Sequence, residues 1–253
     1  MSVPVHDCGC GHARHRVGSF EVSEAHVRPR HSGWHAHPHA TIAVVLDGDQ
    51  RKHYRARTTE ASQGTVVVTP AEELHQDTFG RDGTALVLVE CGYGFEAAAS
   101  FVDWNAFLIA RRIERELNLD DAFSRLALEG LALELAALAG RGPVARVATG
   151  PAREAYELLH ERFRETPTVR EVARHVGLNP SHLARSFRET YRESIGECVR
   201  RLRVEWAAAK LVSSDVPLAR LAVEAGFVDQ SHFTRAFKGR FGITPARFRT
   251  AYR

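Results

Sequence analysis

Hydrophobic positions change rhythm twice along this chain. Between about Val22 and Glu90, short β-branched and apolar runs alternate with turn-forming residues. Thr41–Leu46 is an apolar run ended by Asp47-Gly48-Asp49, and Gln50–Thr59 reads as a polar strand. Ser62-Gln63-Gly64 marks a turn into Thr65–Thr69, after which come His75–Phe79, Arg81-Asp82-Gly83 and Thr84–Glu90. Regular short strands with Gly-centred turns predict an antiparallel sandwich or barrel. After Gly94 the period becomes helical. Asn105–Leu117 and Ala122–Leu138 are each long enough for three or more turns. In the second, Phe123, Ala127, Leu131, Leu135 and Leu138 recur on one apolar face, and Leu128 and Leu133 widen it. That width leaves two readings, a helix pair closed within one chain or a seam between two chains. Gly140–Pro151, with three Gly and two Pro, reads as a linker.

From Ala152 onward the pattern is helical and repeats. Ala173, Gly177 and Leu178 correspond to Ala222, Gly226 and Phe227 at an offset of 49. Ser181, His182, Leu183, Arg185, Phe187, Arg188 and Tyr191 correspond to Ser231, His232, Phe233, Arg235, Phe237, Lys238 and Phe241 at an offset of 50. The one-residue difference falls in the turn, where length can change without rotating a helix face. Each copy reads as helix, Gly turn, helix. Thr168 and Glu171 form a capping box, Gly177 supplies the turn, and Asn179-Pro180 opens the next helix. In the second copy Pro217 starts a helix, Gly226 turns and Asp229 caps. Leu183, Phe187 and Tyr191 point inward in one copy; Phe233, Phe237 and Phe241 do so in the other. Ser181, Ala184, Arg185 and Arg188 then face outward, as do Gln230, Ser231, Thr234, Arg235 and Lys238. A helix-turn-helix lays the N-terminal part of its second helix in the major groove. Small polar residues with an Arg suit base edges there.

Charge sharpens the division. Residues 151–253 hold 19 Lys+Arg against 12 Asp+Glu, whereas residues 1–150 hold 15 against 19. The basic part calls for an anionic partner, nucleic acid before membrane. Histidine is skewed the other way, with ten of 14 between His6 and His75. No apolar h-region occupies the first thirty residues, and the most apolar stretch, Leu126–Leu138, is interrupted by Glu129 and Glu134. Neither a secretory signal nor a membrane span is expected, so the expected location is cytoplasmic, with reduced thiols. Four cysteines in 253 residues do not make a disulfide scaffold.

The run Ala222-Val223-Glu224-Ala225-Gly226-Phe227, continued by Ser231, Phe233, Arg235, Phe237-Lys238, Gly242-Ile243-Thr244-Pro245 and Phe248-Arg249, resembles the signature of AraC-type transcription regulators. The first copy departs from it at Arg192, where Gly is usual, and at Ile195, where Pro is usual. Both departures bear on the exit turn. The resemblance implies two helix-turn-helix units joined by a long helix, here about Glu197–Ser213, presenting both recognition helices to successive major-groove segments. It also implies an N-terminal cupin-type barrel that senses an effector, then helices that dimerise. Trp34-His35-Ala36-His37 with Gly48, and Gly64 to Pro70 with His75, resemble the two cupin motifs. Thr41 and Ile42 stand where an enzymatic cupin would carry a metal-binding Glu.

The resulting expectation is an α+β chain of two domains. Residues 1–19 form a flexible His/Cys-rich start, 20–98 the cupin-like barrel, 99–140 the dimerisation helices, 141–150 a linker and 151–253 the all-α double helix-turn-helix. His35, His37 and His39 share a face by period two, and a strand bringing His75 alongside would gather imidazoles for a divalent metal. The same residues would equally line an organic-ligand pocket or titrate at the surface. His35, His37 and His75 are the candidate effector residues, and also the candidate metal ligands. Cys8, Cys10, His12 and His15 form a second cluster, readable as a metal or thiol sensor or as a functionless end. Cys91 and Cys198 read as buried small residues. The leading function is a one-component, non-enzymatic regulator of double-stranded DNA, responding to a small molecule or metal. It would act as a homodimer and, if an activator, meet RNA polymerase. A metal-dependent cupin enzyme or metal sensor with a DNA-binding appendage is the alternative. A methyl-accepting repair protein would need a four-cysteine zinc site that this half does not offer.

Overall fold

The computed structural model describes residues 14–119, 121–141 and 150–252. The chain divides into two compact units, with the boundary between Arg141 and Gly142. In the first unit the strands are β1 (Arg14–Val17), β2 (Phe20–Val27), β3 (Ala40–Tyr54), β4 (Thr58–Ser62), β5 (Thr65–Thr69), β6 (His75–Cys91) and β7 (Ala99–Val102). They form one antiparallel sheet ordered β1-β2-β6-β3-β5-β7, with β4 added to β3. Cross-strand neighbours Val22, Val89, Ile42 and Val68 make one fully buried row. One residue further along, Ser23, Leu88, Ala43 and Val67 make a row on the opposite face. Both faces are covered, which explains why Val66–Val68 and Ile42–Leu46 read as unbroken apolar runs instead of alternating.

Two stretches with turn composition do not turn the chain. Asp47-Gly48-Asp49 lies inside β3 and Arg81-Asp82-Gly83 inside β6. The pairing of these strands shifts register between Val45 and Asp47 and again between Gly48 and Gln50. Such bulges leave a residue unpaired and bend the strand. Gly48 and Gly83 adopt φ of 75° and 83°. A Cβ on Gly48 would collide with the Gly83 carbonyl oxygen. A positive-φ glycine serves a bulge as well as a hairpin turn, so the expected breaks become bends. The flexible start also needs correction, because Arg14–Val17 pairs with β2. Residues 99–102, expected as the beginning of a helical region, form edge strand β7 on β5.

Helices α1 (Trp104–Leu117) and α2 (Ser124–Arg141) close this unit. Asp103 caps α1 by accepting from the amides of Asn105 and Ala106. α1 packs on β2, β3, β5 and β6 and against α2. The buried face of α2 is Leu128, Leu131, Ala132, Leu135, Ala136 and Ala139. Phe123, expected on that face, is 74% exposed, and Leu126 is 71% exposed. An outward stripe of Phe123, Leu126, Gly130, Leu133 and Ala137 therefore runs along the helix.

The second unit contains α3 (Pro151–Arg162), α4 (Val169–His175), α5 (Pro180–Tyr191), α6 (Ile195–Ser213), α7 (Leu218–Glu224), α8 (Gln230–Phe241) and α9 (Pro245–Tyr252). The Thr168/Glu171 capping box opens α4, and Asn179 caps α5. Asp229 accepts from the His232 amide at α8, and a further box, Ser194/Glu197, opens α6. The unusual Arg192 holds the left-handed C-cap of α5 at φ 58°, the place Gly242 takes after α8 at φ 75°. The exit turn forms with the same geometry despite the substitution. Phe233, Phe237 and Phe241 of α8 and Phe248 of α9 meet in sequence through edge-on and tilted ring contacts.

Beneath α5, Tyr156 stacks on Tyr191 and meets His160 at a tilt. His160 Nε2 is sealed from solvent without a hydrogen-bond partner. Burial, reinforced by the nearby Arg201, lowers the His160 pKa to about 3 from an ordinary 6.5. Between these values the unfolded chain takes up a proton that the folded chain refuses, so stability must fall as pH drops from about 6.5 toward 3. In scanning calorimetry between pH 7 and pH 4, the His160→Phe variant should lose less melting temperature than wild type. Identical pH slopes would show that His160 is not neutral in the fold.

Candidate effector site and nucleic-acid interface

The histidine cluster is built by strand register. In the β3–β6 ladder Lys52 lies opposite Asp77 and Tyr54 opposite His75. Period-two alternation puts Gln50, Lys52 and Tyr54 on the same face as His75, Asp77 and Phe79. His35 joins this face through an isolated antiparallel bridge, exchanging both backbone hydrogen bonds with His75 at 2.9 Å. His37 follows two residues later, its carbonyl accepting from the Glu72 amide at 2.8 Å. The His35, His37 and His75 rings stand 4.3, 5.1 and 5.3 Å apart in pairs, with one ligand atom from each within 4.8 Å of the others. His39, on the same period, is exposed and outside this group.

Hydrogen bonds orient two of the rings. His35 Nδ1 donates to the Gly33 carbonyl and His75 Nδ1 to the Glu73 carbonyl, each at 2.8 Å. Both Nε2 atoms are left as lone-pair acceptors facing Asp77 Oδ2, at 3.8 and 3.7 Å. Burial, aided by the Lys52 ammonium, lowers the His37 pKa to about 4 and the His75 pKa to about 3. Both are neutral imidazoles at neutral pH. Burial alone would raise the Asp77 carboxyl, but the Lys52 ammonium, 3.1 Å away, brings it below the ordinary carboxylate range. Sequence reasoning missed Lys52 and Asp77. The available signal was alternation with Tyr54 and His75, which becomes legible only once the strands are known to run unbroken.

His35, His37, Lys52 and Asp77 form the polar end of a cavity of about 70 Å³; His75, wholly buried, is outside its lining. Ala25, Val27, Ala43, Phe79, Leu86 and Leu88 supply an apolar wall, and Ser23, Thr41, Gln50, Glu90 and Arg14 complete the lining. A mostly apolar concavity with a few convergent polar groups is the usual form of a small-ligand site. Cys8, Cys10 and His12 lie outside the described residues; His15 sits in β1 opposite Val22, away from the cavity lining. Cys91 and Cys198 are buried free thiols.

In the second unit, α5 and α8 hold the expected nucleic-acid residues. Leu183 and Phe187, and Phe233 and Phe237, are fully buried. Ser181, Arg185 and Arg188 are exposed on α5, and Gln230, Ser231, Arg235 and Lys238 on α8, with Thr234 half-buried. Arg188 lies 4.0 Å from Glu197. Val228, at the turn before α8, is 86% exposed, and a reading based on polarity passes over it. A chain of ion pairs ties the two copies together. Arg201 on α6 holds Glu193, in the exit turn of α5, at 2.7 Å and Glu205 at 3.3 Å. Glu205 holds Arg240, near the end of α8, at 3.0 Å. Glu205 is buried, so this network resists screening better than surface pairs do.

Comparison with known proteins assigns both units. An "AraC-like ligand binding domain" matches residues 17–90, and a "Helix-turn-helix domain" matches residues 172–251. The regulatory protein SoxS of Salmonella typhimurium is 30% identical over 93 residues, which is 37% of this chain and 87% of that protein. The arabinose operon regulatory protein of Escherichia coli is 32% identical over 98 residues, 38% of this chain but only 34% of that protein. Among solved structures, ToxT from Vibrio cholerae aligns over 92% of this chain and 97% of its own, with 10% identity and a TM-score of 0.37. No described helix is long and apolar enough to cross a membrane. The chain belongs to the AraC family of transcription regulators, which are not enzymes, and joins that family's ligand-binding domain to its helix-turn-helix DNA-binding domain.

Proposed function

We propose that this is a one-component regulator in which an effector in the barrel cavity alters how two helix-turn-helix units hold double-stranded DNA. The observation that carries this reading is the pair of exposed recognition helices, each offering an arginine with no ion pair among the described residues. Strands β1 to β7 are the effector barrel, α1 and α2 the dimerisation helices and α3 to α9 the DNA-binding region. His35, His37 and His75 fix the effector at the polar end of the cavity. Ser181, Arg185, Arg188, Gln230, Ser231, Thr234, Arg235 and Lys238 contact DNA, and Val228 is placed to meet a thymine methyl. An activator of this kind would also touch RNA polymerase.

Each arginine, one turn into its helix, reads guanine at a base edge. Losing such a bidentate contact costs roughly 1–3 kcal/mol and relaxes specificity at one or two base pairs. Arg235→Ala should relax more positions than Arg185→Ala, because Gln230, Ser231 and Thr234 share the reading on α8 while α5 offers Ser181 beside Ala184. Selection from a random DNA library by wild type and both variants reads this directly. Variants that keep the wild-type motif and lose only affinity would reassign these arginines to phosphates.

Spacing between the two half-sites is set by the Glu193–Arg201–Glu205–Arg240 network. With an operator whose half-sites lie about 10 base pairs apart, inserting one base pair should cost wild type more affinity than it costs Glu205→Gln. Equal penalties would remove the network from spacing control.

The exposed stripe of α2 pairs with its copy in a homodimer. Opposite Gly130 the two backbones can approach closely, and an antiparallel crossing there sets Phe123 against Ala137 and Leu126 against Leu133 of the second copy. Sedimentation at micromolar concentration should give a dimer for wild type and a monomer for Leu126→Glu. A monomeric wild type, with and without DNA, would end this part of the reading.

A further inference from the structure

The cavity's polar end has the construction of a metal site. Three imidazoles converge, and two have their tautomer fixed by Nδ1–H donation to backbone carbonyls, the outer-shell arrangement that turns Nε2 toward an ion. His75 is wholly buried, yet its Nε2 has no hydrogen-bond partner. A buried acceptor left unmatched is costly, and an organic pocket would ordinarily satisfy it from within the fold. Asp77 Oδ2 stands near both Nε2 atoms, where a fourth donor belongs. In tetrahedral coordination with bonds near 2.1 Å, donors lie roughly 3.4 Å from one another, so the 3.7 and 3.8 Å spacings at Asp77 need a closure of a few tenths of an ångström, and the imidazole donors, which lie within 4.8 Å of one another, must draw in further, by up to about an ångström.

We propose that His35, His37, His75 and Asp77 bind one divalent first-row transition ion, and that this ion is the effector. The inference rests on the reading of the barrel as the effector site and names the ligand class. Nitrogen donors in the majority select zinc, nickel, cobalt, copper or iron over magnesium and calcium, which take oxygen. Lys52 is the built-in competitor. Its ammonium holds both Asp77 oxygens, at 3.1 and 3.3 Å, and occupies the carboxylate while the ion is away. When the ion takes Oδ2, Lys52 must give up part of that contact. Ion binding thereby changes the pairing of β3 with β6 at one rung.

The test uses full-length protein stripped with a chelator and titrated with Co²⁺. One equivalent per chain should bind, with d–d absorption and no thiolate-to-cobalt charge-transfer band. His37→Gln and His35→Gln, which replace partly exposed rings outside the apolar core, should weaken binding at least about tenfold, as should Asp77→Asn. Lys52→Gln should bind several-fold tighter, because a like charge beside the ion is gone. A Cys8→Ser/Cys10→Ser protein should bind as wild type does, which separates the barrel from the cysteine cluster near the start of the chain. Operator affinity should change at least several-fold when Co²⁺ is added to wild type, and not in His37→Gln.

The proposal is overturned if Co²⁺ does not bind at micromolar concentration. Binding that survives both histidine substitutions overturns it too, as does binding that leaves operator affinity unchanged. Weaker binding in Lys52→Gln would point instead to an anionic organic ligand held by the ammonium. Operator binding by the metal-free protein, measured alongside, depends on α5 and α8 and stands or falls separately.

Discussion

The pairing of β3 with β6 is the constraint on which the first unit depends. These strands run 15 and 17 residues, and each contributes to both a buried apolar face and the cavity. A slip of one residue in such a ladder turns every side chain to the other face. Here a slip of β3 would move Lys52 out of the cavity and bring a neighbour such as Arg51 in, leaving Asp77 without its ammonium. Glycine sets the register at the point of greatest bending. A Cβ on Gly48 would strike the Gly83 carbonyl, one on Gly83 would crowd the Val27 carbonyl, and both residues carry positive φ. The bulges thus do two jobs at once. They curve the sheet, and they pin the rung that carries the cavity's only buried ion pair among the described residues.

In the second unit a buried carboxylate plays a comparable part. Glu205 lies in α6, a helix of 19 residues and therefore about 28 Å long, beside the exits of both recognition helices. Removing a carboxylate from water is expensive, and two guanidiniums offset the cost only when they are correctly placed. A misplaced α8 takes Arg240 away from that charge, and a misplaced α5 takes Glu193 away from Arg201. Apolar packing of Phe187 and Phe237 holds each hairpin together, but it is tolerant of small rotations. The ion pairs are not, and they supply the orientation that apolar contact leaves loose. Arg203 adds to this by donating to the Phe163 carbonyl while its guanidinium lies over Phe227, which buttresses the turn at Gly226.

How much was legible in the sequence follows the range of the forces involved. The helix caps at Thr168, Asn179 and Asp229 depend on residues two or three positions away, and they stand where pattern reading puts them. The fifty-residue repeat is equally plain, because two copies bury the same faces. In the barrel the deciding contacts are distant. Gly48 and Gly83 have the composition of hairpin turns, and only their mutual approach makes them bulges. β1 is hidden because Arg14-His15-Arg16 shows no apolar alternation; its partner β2 supplies the order. Counting from Ala127 turns Phe123 inward, but burial on α2 is fixed by where α1 lies, and that face is centred on Leu128, Leu131 and Leu135. Convergence of His35, His37 and His75 could be expected from two motifs, whereas Lys52 and Asp77 required the register.

A ligand shifts a protein's equilibrium only as far as it binds the two states differently. An ion gripped by His35, His37 and His75 alone would meet much the same donors in any state, since His35 and His75 are already locked by mutual backbone hydrogen bonds. Asp77 is different, because its carboxylate has two possible partners, an ammonium and an ion, that exclude each other at close range. Such an exchange would span β3 and β6; β3 packs against α1, and β6 pairs with β2, which lies beside α2. A change at the Lys52 rung therefore has a continuous packed route to the helices that carry the exposed apolar stripe. The same route would serve an organic effector that drew Lys52 away from Asp77.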